Sequence, residues 1–164
     1  MAPSITYRAG AGVAGDITRS DSTVVESGIM NASKPPLFYG DPVKLVSGNF
    51  EAIEAGDAAT VFAGIATRVA PSIAGSTGQG FGPGVPNTTE PLGVMKTGYV
   101  NVTCLTGTPV KGGIVYMRVQ TTGNGGRIGG FDATSDTTNS VAITRAVWAV
   151  SGKDANNVAE ISFL

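Results

Sequence analysis

The chain has 164 residues, with 11 Lys and Arg against 12 Asp and Glu, a net charge of −1. Charged residues make up 14% of it, against about 25% in a typical soluble domain. No basic excess or cation run could displace counterions from nucleic acid or hold an anionic membrane, so both are excluded as partners.

The length suits one domain with one core. The 24 Gly and 9 Pro punctuate the chain throughout, and between them lie short runs rich in Val, Ile, Thr and aromatics. That pattern predicts many short strands joined by turns, hence an all-β sandwich or barrel. Met1-Ala2-Pro3-Ser4 has neither the basic start nor the apolar run of a secretory signal. No stretch approaches the ~18 apolar residues of a membrane span. Synthesis and folding in a cytoplasm are therefore expected.

Residues 1–21 are small and polar, with isolated Ile5, Tyr7, Val13 and Ile17, and read as an extended N-terminal arm ahead of a body at 22–164. In the body, strands are expected at 22–30, at 42–46 and, after the turn Ser47-Gly48-Asn49, at 50–53. A largely apolar strand follows at 60–68. Residues 71–91 form a long Gly/Pro loop containing Gly78-Gln79-Gly80-Phe81-Gly82-Pro83-Gly84. Loops of that length inside a domain are usually functional or disordered, and Phe81 has two possible destinations, its own domain or a partner. Residues 92–96 and 99–105 read as a hairpin around Thr97-Gly98. Strands at 114–120, 144–150 and 159–163 complete the pattern. The segments 40–50 and 112–128 each read as a Gly-opened strand, a turn and a returning strand.

Little in the sequence carries chemistry. The absence of histidine removes Ser-His-Asp triads, Cys-His pairs and most transition-metal sites. The single cysteine, Cys104, excludes an intrachain disulfide. It shares its register with Val100 and Val102 and reads as a small core residue. Asp132 with Asp136, and Asp16 with Asp21, lack the spacing of a calcium loop or a glycosidase pair and read as turn-capping aspartates. Gly10-Ala11-Gly12-Val13-Ala14-Gly15 matches G-x-G-x-x-G, but a poor helix former follows and no acid stands about twenty residues on, so dinucleotide binding is rejected. No catalytic, cofactor-binding or metal-binding residue is assigned, and the chain is not expected to be an enzyme.

From Ala14-Gly15-Asp16-Ile17-Thr18-Arg19 onward the chain resembles the bacteriophage structural cement (capsid decoration) proteins. The resemblance continues in order through Thr23-Val24-Val25-Glu26, Gly40-Asp41-Pro42-Val43 and Phe62-Ala63-Gly64-Ile65. It goes on through Leu92-Gly93-Val94-Met95, Pro109-Val110-Lys111-Gly112-Gly113-Ile114-Val115-Tyr116, Ala146-Val147-Trp148 and Ala159-Glu160-Ile161. The loop at 71–91 has no counterpart in it. The resemblance implies a single β-sandwich or jelly-roll-like body that forms homo-oligomers, dimers or trimers, on the outer surface of a virion. There it would bridge copies of the phage major capsid protein, with no catalytic residue and no cofactor.

An arm suits that task, because a few anchors can order on binding or add a strand to a neighbour's sheet. The candidate capsid or oligomer contacts are Ile5, Tyr7, Arg8, Ile17, Arg19 and Phe81, with both arginines placed to meet capsid carboxylates. The competing reading is a carbohydrate- or receptor-binding β module of a virion fibre or adhesin, with Phe38, Tyr39 and Phe81 as its stacking platform.

Overall fold

In the computed structural model, residues 12–68, 85–121, 126–136 and 138–164 are described. They contain the strands β1 (Ile17–Gly28), β2 (Pro42–Val46), β3 (Asn49–Ala52), β4 (Phe62–Thr67), β5 (Leu92–Thr106), β6 (Ile114–Arg118), β7 (Phe131–Asp132), β8 (Ser140–Trp148) and β9 (Val158–Phe163). One short 3-10 turn, Ala59–Val61, leads into β4. The expected all-β class is what the structure has.

β5 organises the rest. Its first half pairs with β1 on one edge and β4 on the other, meeting both at Gly93, Val94 and Met95. Farther on, Tyr99 and Val100 pair with both β1 and β9, so β9 takes over the edge that β4 leaves. Cys104 then pairs with Phe131 of β7 while its N–H bonds to the Asn157 carbonyl at 2.8 Å. A strand with both edges occupied along most of its length has no room to fold back as a hairpin. This is why the turn expected at Thr97-Gly98 is absent and β5 runs 15 residues unbroken.

Gly98 does something else there. Its φ is +124°, a conformation that a side chain resists. Buried side chains on β5 change parity across it. Leu92 and Val94 enter one core cluster, whereas Met95, Val100, Val102 and Cys104 enter another.

The pairings close two rings that share β5. One runs β5, β7, β6, β8, β9 and back to β5. Val115, Met117, Phe131, Ile143, Trp148, Ile161 and Phe163 belong to the cluster of that ring, along with the later β5 residues. The other runs β5, β4, β2, β3 and back through β1, closed by the parallel bridge of Met30 to Phe50. That bridge is made by Phe50 N–H to Ile29 O at 2.8 Å and Asn31 N–H to Phe50 O at 2.9 Å. Its cluster holds Met30, Val43, Phe50, Ala66, Leu92 and Val94. The described strands thus form one sheet that closes on itself through β5.

A buried ion pair locks the first ring. The Arg118 guanidinium, on β6, stands 2.7 Å from Asp132 Oδ2 on β7 and 3.5 Å from Asp136. Asp132 Oδ1 accepts from the Thr106 N–H at 3.1 Å and its hydroxyl at 2.7 Å, on β5. Arg118 is 1% exposed and Asp132 fully buried. The two aspartates read from sequence as turn caps thus serve a buried cation.

Other expectations shift in detail. β2 and β3 form the expected hairpin, with positive φ at both Ser47 and Gly48, as a two-residue turn of this hand requires. The segment read the same way at 112–128 also returns antiparallel on itself, but the returning strand is the two-residue β7 at Phe131–Asp132, beyond Ile128, and β6 pairs with β8 on its other edge. The strand expected from Ser22 begins at Ile17, so β1 runs through the boundary expected between arm and body.

Candidate functional site

Three surface features are built by this frame. The first is β1, whose residues from Val24 to Gly28 pair with β5 on one side only among the described residues. Edge strands are a ready template for another chain. This one carries exposed apolar side chains, Val24 at 54%, Val25 at 44% and the adjoining Ile29 at 70%, with exposed Glu26 and Ser27 between them. It is also interrupted. Arg19 pairs with Tyr99 and Val24 with Thr97, so four residues of β1 stand against one of β5. Ser22 adopts a φ of +82° in that bulge, and a bulge of this kind ends regular edge pairing.

The second feature anchors the start of β1. Arg19 Nη2 lies 2.7 Å from Glu160 Oε2, and Nε donates to Oε1 at 3.2 Å. The Thr18 hydroxyl also donates to Oε1. The guanidinium stacks 4.1 Å from the Tyr99 ring centroid, and its hydrogen bond to Glu160 raises its pKa further above the usual value. Arg19, expected to meet a capsid carboxylate, is thus already paired within its own chain, while half its side chain stays exposed. Ile17 pairs with Val100 and is partly exposed. Ile5, Tyr7, Arg8 and Phe81 lie outside the described residues.

The third feature is a cleft of about 540 Å³ between the two rings, lined by Leu37, Asp41, Pro42, Ile53, Glu54 and Ile128, among others. Buried Asp41 forms a bidentate pair with Arg127, through Nη1 at 2.8 Å and through Nη2. Arg127 also covers the Phe38 ring at 4.8 Å, and Arg68 covers Tyr39 at 5.6 Å. On the rim, Glu54 bonds Lys44 Nζ at 2.7 Å and Lys34 Nζ at 2.9 Å, which draws its carboxyl down to about 2. Among the described residues no group of three or more His, Cys, Asp or Glu could hold a metal ion, and no helix is long and apolar enough to cross a membrane.

Sequence reasoning missed the exposed face of β1 and the cleft. Val24 and Val25 are adjacent and both exposed, where the pairing register of β1 with β5 shifts between them. Nothing in the local pattern identifies an edge. Cys104, with Val100 and Val102, is buried as expected, and burial raises its thiol pKa.

The body is thus all-β, with an exposed strand edge and carboxylates paired to cations. The family model for structural cement proteins, described by E217 gp24 and Pam3 gp6, matches residues 1–164, and the chain belongs to that family of phage structural proteins. Its role is therefore to stabilise a capsid, as a component of the virion. A chain in the solved structure of the capsid of Myoviridae phage XM1 has a similar fold, at a TM-score of 0.73 and 21% identity, covering 98% of this chain and 97% of that one. No curated protein matches the chain.

Proposed function

We propose that the protein binds the outer surface of an assembled phage shell as a homo-oligomer, a dimer or trimer, and bridges neighbouring major capsid proteins. It would be made in the cytoplasm of the host bacterium. The family match over the whole chain carries this reading. The apolar edge at Val24, Val25 and Ile29 supports it, since exposed apolar surface of this kind marks a contact site. A ligand that binds assembled lattice in preference to free subunits stabilises the lattice by mass action. Several footholds per copy add effective concentration. The sugar-binding alternative is weaker, because Phe38 and Tyr39 each already carry a guanidinium over the ring.

Co-sedimentation with shells of the protein's own phage, followed by heating, tests the proposal. Pelleting at a fixed ratio with longer shell survival is expected, and protein that stays in the supernatant refutes it. Val25→Asp with Ile29→Asp is expected to abolish pelleting while leaving stability within about 0.5 kcal/mol, as exposed substitutions generally do. Unchanged pelleting would remove the β1 edge from the interface.

Truncation separates the arm from the body. Deleting residues 1–11 is expected to weaken shell binding and leave the melting temperature unchanged. Deleting residues 1–21 is expected to lower it as well, because Ile17 and Arg19 leave the sheet and Glu160 loses its cation. Equal melting temperatures for the two truncations would refute that anchoring role.

A further inference from the structure

We propose that the Asp41–Arg127 pair is a proton-operated tie between the two rings: made while Asp41 is ionised, and released to widen the cleft at the half-buried Ile128 when Asp41 takes up a proton. The tie adds a side-chain link between parts that the backbone also joins, by Gly56 N–H to Val119 O at 3.0 Å. Asp41 is fixed on the side of β4, where its carbonyl accepts the Ala66 N–H at 2.9 Å. Arg127 sits in a segment held to β6, by Gly129 N–H to Arg118 O at 3.0 Å and Arg118 N–H to Gly130 O at 2.9 Å. The charged link across the cleft is the bidentate pair, reinforced by the guanidinium over Phe38.

The carboxylate has few other partners. Its Oδ2 accepts the Phe38 N–H at 3.0 Å. Among the described residues Arg127 is the charged group that acts on it, and Glu54 across the cleft is held by Lys34 and Lys44. Burial pushes its pKa from 3.8 up to about 6, outweighing Arg127 and the Phe38 N–H, which pull it down. Protonation removes the charge that holds Arg127, whose partly exposed side chain can then turn to water.

The sign for global stability runs the other way. A carboxyl whose pKa is raised by folding binds its proton more tightly in the folded state. Its contribution to stability is fully present below its ordinary pKa of 3.8 and is lost as the pH rises through about 6. Mild acid therefore widens the cleft locally without weakening the fold through this group.

Nuclear magnetic resonance on the full chain tests this from about pH 7.5 to about pH 5, on either side of the value of about 6 to which burial raises Asp41. Three signals are followed: the Asp41 carboxyl carbon, the Arg127 Nε–H, and relaxation of the Ile128 methyls by a soluble paramagnetic probe. All three are expected to change together with a midpoint near 6. Asp41→Asn is expected to show the acid-form Arg127 and Ile128 signals at every pH, with a melting temperature at neutral pH no lower than the parent's. If that variant does not fold, Arg127→Gln must leave Ile128 accessible at every pH. An Asp41 carbon that does not titrate across this range overturns the proposal. So does Ile128 accessibility that ignores pH in the parent, or that still follows pH in either variant.

Discussion

Replacing Arg118 with leucine is expected to lower the unfolding free energy by about 3–5 kcal/mol, the usual cost of leaving one member of a buried ion pair alone. Asp132 is fully buried and stands 2.7 Å from the guanidinium, so the substitution strips a buried carboxylate of the cation that faces it. The damage spreads because Asp132 also holds Thr106 of β5, while Arg118 reaches Asp136 beyond β7. Three strands of one ring meet at this pair. Chemical denaturation measures the loss. The double variant Arg118→Leu, Asp132→Leu is expected to recover part of it, since two apolar side chains of similar volume need no pairing. Recovery is incomplete, because the Thr106 N–H and hydroxyl lose their acceptor, at about 1–3 kcal/mol for an unsatisfied buried group. A double variant as unstable as the sum of the singles would show that the pair is not coupled.

Gly98→Ala is expected to destabilise the protein by at least about 1–3 kcal/mol, the cost of holding a side chain in a sparsely populated backbone region. The φ of +124° is one source of strain, and overlap is a second. A Cβ placed there would stand 2.5 Å from Thr23 Oγ1 and 3.1 Å from the Thr23 backbone, so β1 would be pushed from β5. Gly48→Ala separates the two effects. That turn glycine also has positive φ, at +86°, but a Cβ there meets nothing within 4 Å. Thermal melts are expected to rank Gly98→Ala well below Gly48→Ala. Equal melting temperatures would mean that β1 yields freely at Thr23.

The strand positions were largely legible because they rest on local chemistry. The β2–β3 hairpin follows from Pro42-Val43-Lys44-Leu45-Val46 and the Ser47-Gly48 turn, and the structure keeps both. The apolar run Phe62-Ala63-Gly64-Ile65 becomes a buried strand, and the register of Val100, Val102 and Cys104 becomes a core face. Gly98 shows the limit of local reading. A glycine after threonine between apolar runs has the composition of a turn, yet it also suits a bend inside a strand that changes neighbours. Only the presence of β9 and β1 on the two edges decides between them.

The candidate surface was legible in kind and not in place. The ordered segments from Gly15-Asp16 to Glu160-Ile161 pointed to the cement family, which the match over residues 1–164 shows. Arg19 was picked out for its charge, but its pairing with Glu160, 141 residues away, depends on β5 bringing β1 and β9 together. The same holds for Asp41 with Arg127 and for Asp132 with Arg118. By itself the sequence determined the class of fold, the strand-and-turn rhythm, the lack of histidine chemistry and the family resemblance. These follow from residue types and spacing over a few positions. The tertiary structure alone decided which strand is an edge, that the sheet closes through β5, and which carboxylate holds which cation. Those depend on contacts between distant segments, which local hydrophobic periodicity does not encode.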